Sequence, residues 1–144
     1  MIQIAIFEGV TPKVVLDDII ALAKECQIGE EYDTSCDMVY CLIEDNKPAA
    51  VVAFKKVLFT DGNIYPRIEH SFGNKDVQMH IKGIRFLFKC FDDVQSKGYA
   101  QIWAYIKPDK DYMEKLALKC DFQKYAKDSE GNYLVKYLNQ KRRL

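Results

Sequence analysis

The sequence predicts a single-domain α/β fold of the α+β kind: a mixed, mostly antiparallel sheet of about seven strands packed with three to four helices. Three observations carry this. Strand patterns joined by short turns form a meander between Met38 and Phe72. A long amphipathic pattern, Asp76 to Lys97, then separates two apolar strand patterns, and a final pair of strands closes on the turn Ser129-Glu130-Gly131-Asn132. The 144 residues suffice for one core, since a domain of this size buries about 68–70% of its unfolded surface. Residues 1–140 are expected to form the domain and 141–144 a solvated basic tail.

In chain order, Gln3 to Phe7 reads as a short strand ended by Glu8-Gly9. A helix follows, with Thr11 as N-cap and Pro12 in its first position; Val15, Ile19, Leu22, Ala23 and Cys26 recur on one face. Gln27 to Asp37 is polar, acidic and without period, which predicts a loop. Met38 to Ile43 and Ala49 to Leu58 read as a hairpin around Asp45-Asn46-Lys47-Pro48. After Asp61-Gly62-Asn63, Ile64 to Phe72 is a third strand, with Pro66 hinting at a bulge or an unpaired edge position.

The pattern from Asp76 to Lys97 predicts one helix that buries Ile84, Leu87, Phe88, Phe91 and Val94 and is capped by Gly98. Ala100 to Ile106, apolar almost throughout, reads as a strand covered on both faces, parallel to its predecessor if the helix is a crossover. Trp103 within it reads as a core aromatic. Pro108-Asp109 opens a short helix burying Met113, Leu116, Ala117 and Cys120, followed by strands Phe122 to Lys127 and Tyr133 to Leu138.

Composition narrows the function. With 21 basic and 21 acidic residues the formal net charge is zero, so no field draws the protein to phosphate backbones or anionic lipid. Nucleic acid and membrane are therefore not expected partners, and Lys141-Arg142-Arg143 is too short a cluster to change that. Cys26, Cys36, Cys41, Cys90 and Cys120 are odd in number and hold no C-x-x-C pair, which predicts reduced thiols and no zinc site. No metal is expected. Met1 to Val10 has no signal-peptide pattern, and a reducing cytoplasm is the expected compartment.

The element order, and the stretch Leu116-Ala117-Leu118-Lys119-Cys120-Asp121-Phe122 in particular, resembles the GNAT superfamily of N-acetyltransferases. In that family a short helix ends at Gly-Phe and opens the last hairpin; Phe122 matches, and Asp121 stands where the glycine would be. Asp can take the left-handed conformation such a reversal needs, at more cost than Gly. The resemblance implies a central parallel pair of strands that splays apart, with acetyl-coenzyme A as cosubstrate in the opening. It places the cofactor along the strand end Ser71-Phe72 and its pyrophosphate on the helix start His80-Ile81-Lys82-Gly83-Ile84-Arg85, where backbone amides and the helix dipole favour anions. Gly83 fits the family's first small position, while Arg85 departs from the second; an alternative register uses Gly73-Asn74-Lys75 at the strand end, which holds one glycine.

Acyl transfer to an amine needs a base for the amine proton, a donor for the oxyanion and an acid for the thiolate. By the resemblance, Glu69 or His70 is the base; they alternate in facing, so one points into the cleft. The family's tyrosine acid aligns with Ala117, and Tyr112 lies about 140° around the helix from it. Tyr105, Tyr125, Tyr133 and Tyr137 read as sheet-packing residues. Glu30-Glu31-Tyr32-Asp33 lies where the family binds its acceptor and reads otherwise as a solvated acidic loop. Three functions fit: an acyl-CoA-dependent N-acyltransferase acting on a small-molecule or protein amine; a non-catalytic binding or assembly protein of the same fold, similar to small phage-encoded members; and an unrelated α/β binding domain. A sheet with an exposed end also suits a homodimer.

Overall fold

The computed structural model describes residues 2–78 and 81–138. The strands are β1 (Gln3–Glu8), β2 (Met38–Glu44), β3 (Lys47–Leu58), β4 (Ile64–Gly73), β5 (Gln101–Ile106), β6 (Gln123–Asp128) and β7 (Gly131–Tyr137). The helices are α1 (Lys13–Glu25), α2 (Lys75–Gln78), α3 (Ile81–Ser96) and α4 (Asp111–Lys119). The strands form one seven-stranded sheet in the order β1-β2-β3-β4-β5-β7-β6. β4 and β5 run parallel through Arg67↔Trp103 and Ile68↔Ala104, and the pairs β1–β2, β2–β3, β5–β7 and β6–β7 are antiparallel. This is the predicted α+β fold. The basic tail lies outside the described residues.

Local chemistry moves several boundaries. Pro12, at φ −56° and ψ 142°, is extended and precedes α1 rather than opening it, and no side chain caps this helix. The β2–β3 hairpin turns on two residues, Asp45 (φ 52°) and Asn46 (φ 63°), so Lys47 already pairs with Glu44. Two consecutive left-handed residues match the twist of the strands they join. Pro48 thereby falls inside β3 opposite Ile43, where the register of β2 shifts; a residue without an N–H interrupts the ladder there. Pro66 is fully buried and immediately precedes the first parallel pair, so its missing donor falls outside that register.

The single helix expected from Asp76 to Lys97 is instead two. A Cβ on Gly83 would lie 2.6 Å from the carbonyl oxygen of Val77, whereas six residues of continuous α-helix separate atoms by about 9 Å along the axis. Asn74 starts α2: its side-chain oxygen accepts from the Val77 amide at 2.9 Å. The buried stripe of α3 also differs from expectation. Phe86, Leu87, Cys90, Phe91 and Val94 are buried, while Phe88 is 36% exposed; at about 100° per residue it stands roughly 130° from the stripe's centre.

By packing, the chain forms two compact units. One comprises residues up to Lys55 with Glu69–Cys90, the other Lys56–Ile68 with Phe91 onward. In the first, α1 lays Ile19, Leu22 and Ala23 on Val39 and Cys41 of β2, Val51 and Ala53 of β3 and Phe72 of β4. Full burial of an Ile or Leu contributes about 1.5–3 kcal/mol, which holds this helix without a cap. The alternate residues Met38, Tyr40, Val52 and Phe54 are buried too, so β2 and β3 have two covered faces. The start of α3 belongs to that second face: Gly73 meets Ala50 of β3 and Val77 of α2, and Val77 meets Gly83.

In the second unit, Ile102 and Leu134 are fully buried and Phe91 meets Phe122 edge-on at 5.5 Å. The Lys136 ammonium lies 5.7 Å from the Phe91 ring centre and donates to the Cys120 carbonyl at 2.7 Å. Trp103 is half-buried, not a core residue. It lies between Phe59 and Tyr125, each 4.9 Å away, and its Nε1–H donates to Gln101. After α4 the chain reverses through Asp121 at φ 69°, the left-handed residue expected at this junction.

Asp121→Gly should relieve that conformation. The side chain is 83% exposed and only 4.0 Å from Lys136, too weak a pairing to offset the gain. A rise of about 1 kcal/mol, or 2–4 °C in Tm, is expected by thermal denaturation, and an unchanged or lower Tm would contradict it.

Candidate active site

The stretch to which the resemblance assigns pyrophosphate follows the end of β4. The Asn74 amide donates to the Ala49 carbonyl at 2.9 Å, and the Gly73 carbonyl accepts from Gln78 Nε2 at 2.7 Å and from the Cys26 thiol at 3.2 Å. α3 follows. Its first-turn N–H groups form the positive end of a dipole, but the glycine there serves packing, because the space a Cβ of Gly83 would fill is held by the Val77 carbonyl. Lys82 donates to Glu44 at 2.5 Å. Ile84 is half-buried and Arg85 exposed on the same turn, so Arg85 is the cation this turn offers to solvent. His80 lies outside the described residues.

Ser71 is half-buried and Phe72 buried, the latter packing edge-on to Tyr32 with centroids 6.1 Å apart. His70 is 5% exposed. Its Nε2 accepts the Asp33 amide hydrogen at 2.9 Å, its Nδ1 faces Glu30 at 3.5 Å, and its ring lies 4.8 Å from that of Tyr32. A backbone N–H can only donate, so Nε2 carries the lone pair and Nδ1 the proton. That lone pair is occupied. Glu69 is half-buried, and its charge adds to the upward shifts that the Asp33 hydrogen bond causes in Lys55 and burial causes in Cys36.

Glu69 and His70 thus both border the segment between α1 and β2. Asp33 ties that segment down through an ion pair to Lys55 at 2.5 Å and through hydrogen bonds from the Ser35 amide and hydroxyl. The Lys55 and Ser35 hydrogen bonds hold the Asp33 carboxyl well below the usual carboxylate range. Burial pushes the Tyr32 hydroxyl above its ordinary value, and burial with the Asp33 and Glu69 charges pushes the Cys36 thiol to about 12. Residues Ile20, Lys24, Gln27, Glu30, Glu31 and Tyr32 are among those lining a cavity of about 310 Å³ beside the segment. Lys55 escapes sequence reading, and Asn74 enters it only as part of an alternative phosphate loop, not as a helix cap. Asn74 carries a helix-start signal; Lys55 has none, since its partner is 22 positions away.

Several tyrosines in the second unit have hydrogen-bond or aromatic partners. Tyr105 donates to Asp128 at 3.1 Å, and burial with that bond pushes its pKa to about 12. Tyr112 is exposed on α4, and Ala117 occupies the position of the family's acid. Among the described residues no group of three or more His, Cys, Asp or Glu side chains could hold a metal ion, and no helix is long and apolar enough to cross a membrane.

Two consequences are measurable. Gly83→Ala would gain up to about 1 kcal/mol of helix propensity, but the atom it meets is backbone, so a net loss of about 1–3 kcal/mol is expected in denaturant unfolding. A net gain would remove the α2–α3 contact as the reason for this glycine. Asp33, with its folded pKa lowered, stabilises above its unfolded value of about 3.9 and loses that contribution as pH falls towards the lowered folded value. Asp33→Asn should therefore shrink the drop in Tm between about pH 5 and 2.5; equal drops in both proteins would exclude Asp33 from acid unfolding.

No protein-family model matches the sequence, and no curated protein matches it significantly. Solved structures do match in shape. A probable acetyltransferase from Staphylococcus epidermidis superposes with a TM-score of 0.73 at 13% identity, over 95% of this chain and 99% of that one. An acetyltransferase of the GNAT family from Staphylococcus aureus gives 0.71 at 11% identity, over 95% and 100%. A Bacillus subtilis acetyltransferase solved in complex with CoA gives 0.68 at 15% identity, over 96% and 99%. The β4–β5 parallel pair, the crossover helix α3 and the closing β6–β7 hairpin are thus parts of one architecture: the chain has the fold of the GNAT-family acetyltransferases.

Proposed function

We propose that the protein is an acyl-CoA-dependent N-acyltransferase that transfers its acyl group to an amine by direct attack. The observation that carries this reading is the end-to-end match, over 96% of this chain, to an acetyltransferase solved with CoA. The first turn of α3 would hold the pyrophosphate through its amides, with Arg85 supplying charge rather than the small residue the family uses. Acyl-CoA would supply the acyl group as a thioester, with CoA leaving as the thiol when the amide forms. Glu69 is the better candidate for the base, because His70 Nε2 already accepts a hydrogen bond; its carboxylate would take the proton from the attacking amine. The acceptor would be a cationic or neutral amine reaching Glu30 and Glu31 beside the 310 Å³ cavity.

A second reading, a binding protein that keeps the fold without the chemistry, draws on the engaged groups: the Gly83 notch filled by Val77, Lys82 paired with Glu44, and Ala117 in place of a tyrosine. Acetyl-CoA separates the two. At a hundredfold excess over Kd, binding adds about 2.7 kcal/mol, a Tm rise of roughly 5–10 °C. Arg85→Glu, an exposed change that leaves the core intact, should weaken binding about tenfold, on the order of 1.4 kcal/mol. Absence of any thermal shift at millimolar acetyl-CoA would favour the binding protein, and a shift indifferent to Arg85→Glu would move the phosphate site elsewhere.

A further inference from the structure

The segment between α1 and β2 has no regular structure between Ile28 and Asp33, yet it buries Tyr32 to 6% exposure and Cys36 to 4%. It meets β4 through the bond from the Asp33 amide to His70 Nε2, the Glu30 carboxylate facing His70 Nδ1 and the Tyr32 ring on His70 and Phe72, and it meets β3 through the Asp33–Lys55 ion pair; of these, the Asp33–His70 bond is the one a proton on Nε2 breaks. We infer that this contact is a pH-gated latch: neutral His70 docks the segment that borders the cavity, and protonation at Nε2 releases it. The latch rests on the acyltransferase reading only for its consequence, a gated acceptor site; the contact itself stands on geometry.

Donors and acceptors decide how the latch works. Nε2 receives the Asp33 N–H at 2.9 Å, and a proton on Nε2 would set two donors against each other at that distance, so proton uptake and docking exclude one another. The surroundings are charged. Glu30, Tyr32, Asp33 and Cys36 face this region from the segment, Lys55 from β3, Glu69 from β4 and Cys41 from β2. The carboxylates of Glu30, Asp33 and Glu69 welcome an imidazolium once it forms, and Lys55 opposes it, but both leave Nε2 opposite the same amide. His70 is thereby a positioning residue, acting through the segment it holds.

Because only the neutral ring docks, the undocked population rises as the neutral fraction of the freed imidazole falls, so it should grow as pH is lowered from about 7.5 to about 5.5. Amide hydrogen exchange on the full chain reads this directly: after correction for intrinsic rates, protection at Asp33 should fall over that range. In His70→Gln, whose amide oxygen accepts without titrating, protection should be independent of pH. Unchanged protection in the native protein, or the same loss in His70→Gln, would overturn the latch. Should His70→Gln fail to fold, long-range ¹H–¹⁵N spectra of the native protein decide: a neutral ring protonated on Nδ1 at pH 7.5 supports the latch, and one protonated on Nε2 refutes it. Neither measurement uses acyl-CoA or an acceptor, so its failure leaves the acyltransferase reading to its own thermal-shift test.

Discussion

The first unit depends on how the chain leaves the sheet at the end of β4. Gly73 has no side chain because Ala50 and Val77 occupy the space at 3.2 and 3.3 Å. Its carbonyl is shared by Gln78 and Cys26, and the next residue, Asn74, anchors to Ala49 with its backbone and starts α2 with its side chain. α2 then presses the Val77 carbonyl into the notch at Gly83. Two glycines and an asparagine thus fix where α3 begins and, with it, the direction of the dipole on which any anion site at that end relies. A Cβ at either glycine must displace backbone or tightly packed side chains, so this corner tolerates little change.

The same corner limits the chemistry. A glycine at the start of a crossover helix suggests close approach by a phosphate, but here the backbone of α2 makes that approach. Lys82, a second plausible phosphate ligand, is neutralised by Glu44. The work of attracting an anion therefore passes to helix-end amides and Arg85. His70 is likewise absorbed into structure: the interaction that makes it look like a base, a neutral ring oriented towards a carboxylate, commits its lone pair to the α1–β2 segment. Glu69 enters the same region through its charge, which is felt by Lys55 and Cys36.

Much of the fold was legible because burial repeats along the chain. The stripe on α1 reports its covered side, and Ile19, Leu22 and Ala23 are buried as expected, while the apolar runs between turns from Met38 to Phe72 mark strands, of which β2 and β3 are covered on both faces. Where the pattern was ambiguous, reading failed. On α3 the spacing of Ile84, Leu87, Phe88, Phe91 and Val94 sets the stripe slightly too far round, so that it takes in Phe88 and leaves out Phe86; packing buries Phe86 and leaves Phe88 36% exposed. Asn74 was legible in principle as a cap but was overshadowed by the apparent continuity of the pattern after Asp76. The site was less legible than the fold: Glu69, His70, Gly83 and the stretch Glu30 to Asp33 were named from a resemblance, and which of them meet was not.

The sequence by itself determined the order of the strands, the mixed sheet and the helices other than the division between α2 and α3, which follow from periodicity and turn chemistry within a few residues, and its resemblance to a known family pointed to the reversal at Asp121. Tertiary structure alone decided the partners. Asp33 meets His70 across 37 residues and Lys82 meets Glu44 across 38, and Gly83 meets Val77 only because the chain bends between them. Local pattern says that a side is buried or exposed; which donor faces which acceptor depends on how distant elements register in space, and that registration decides whether a histidine, a lysine or a glycine is available for chemistry.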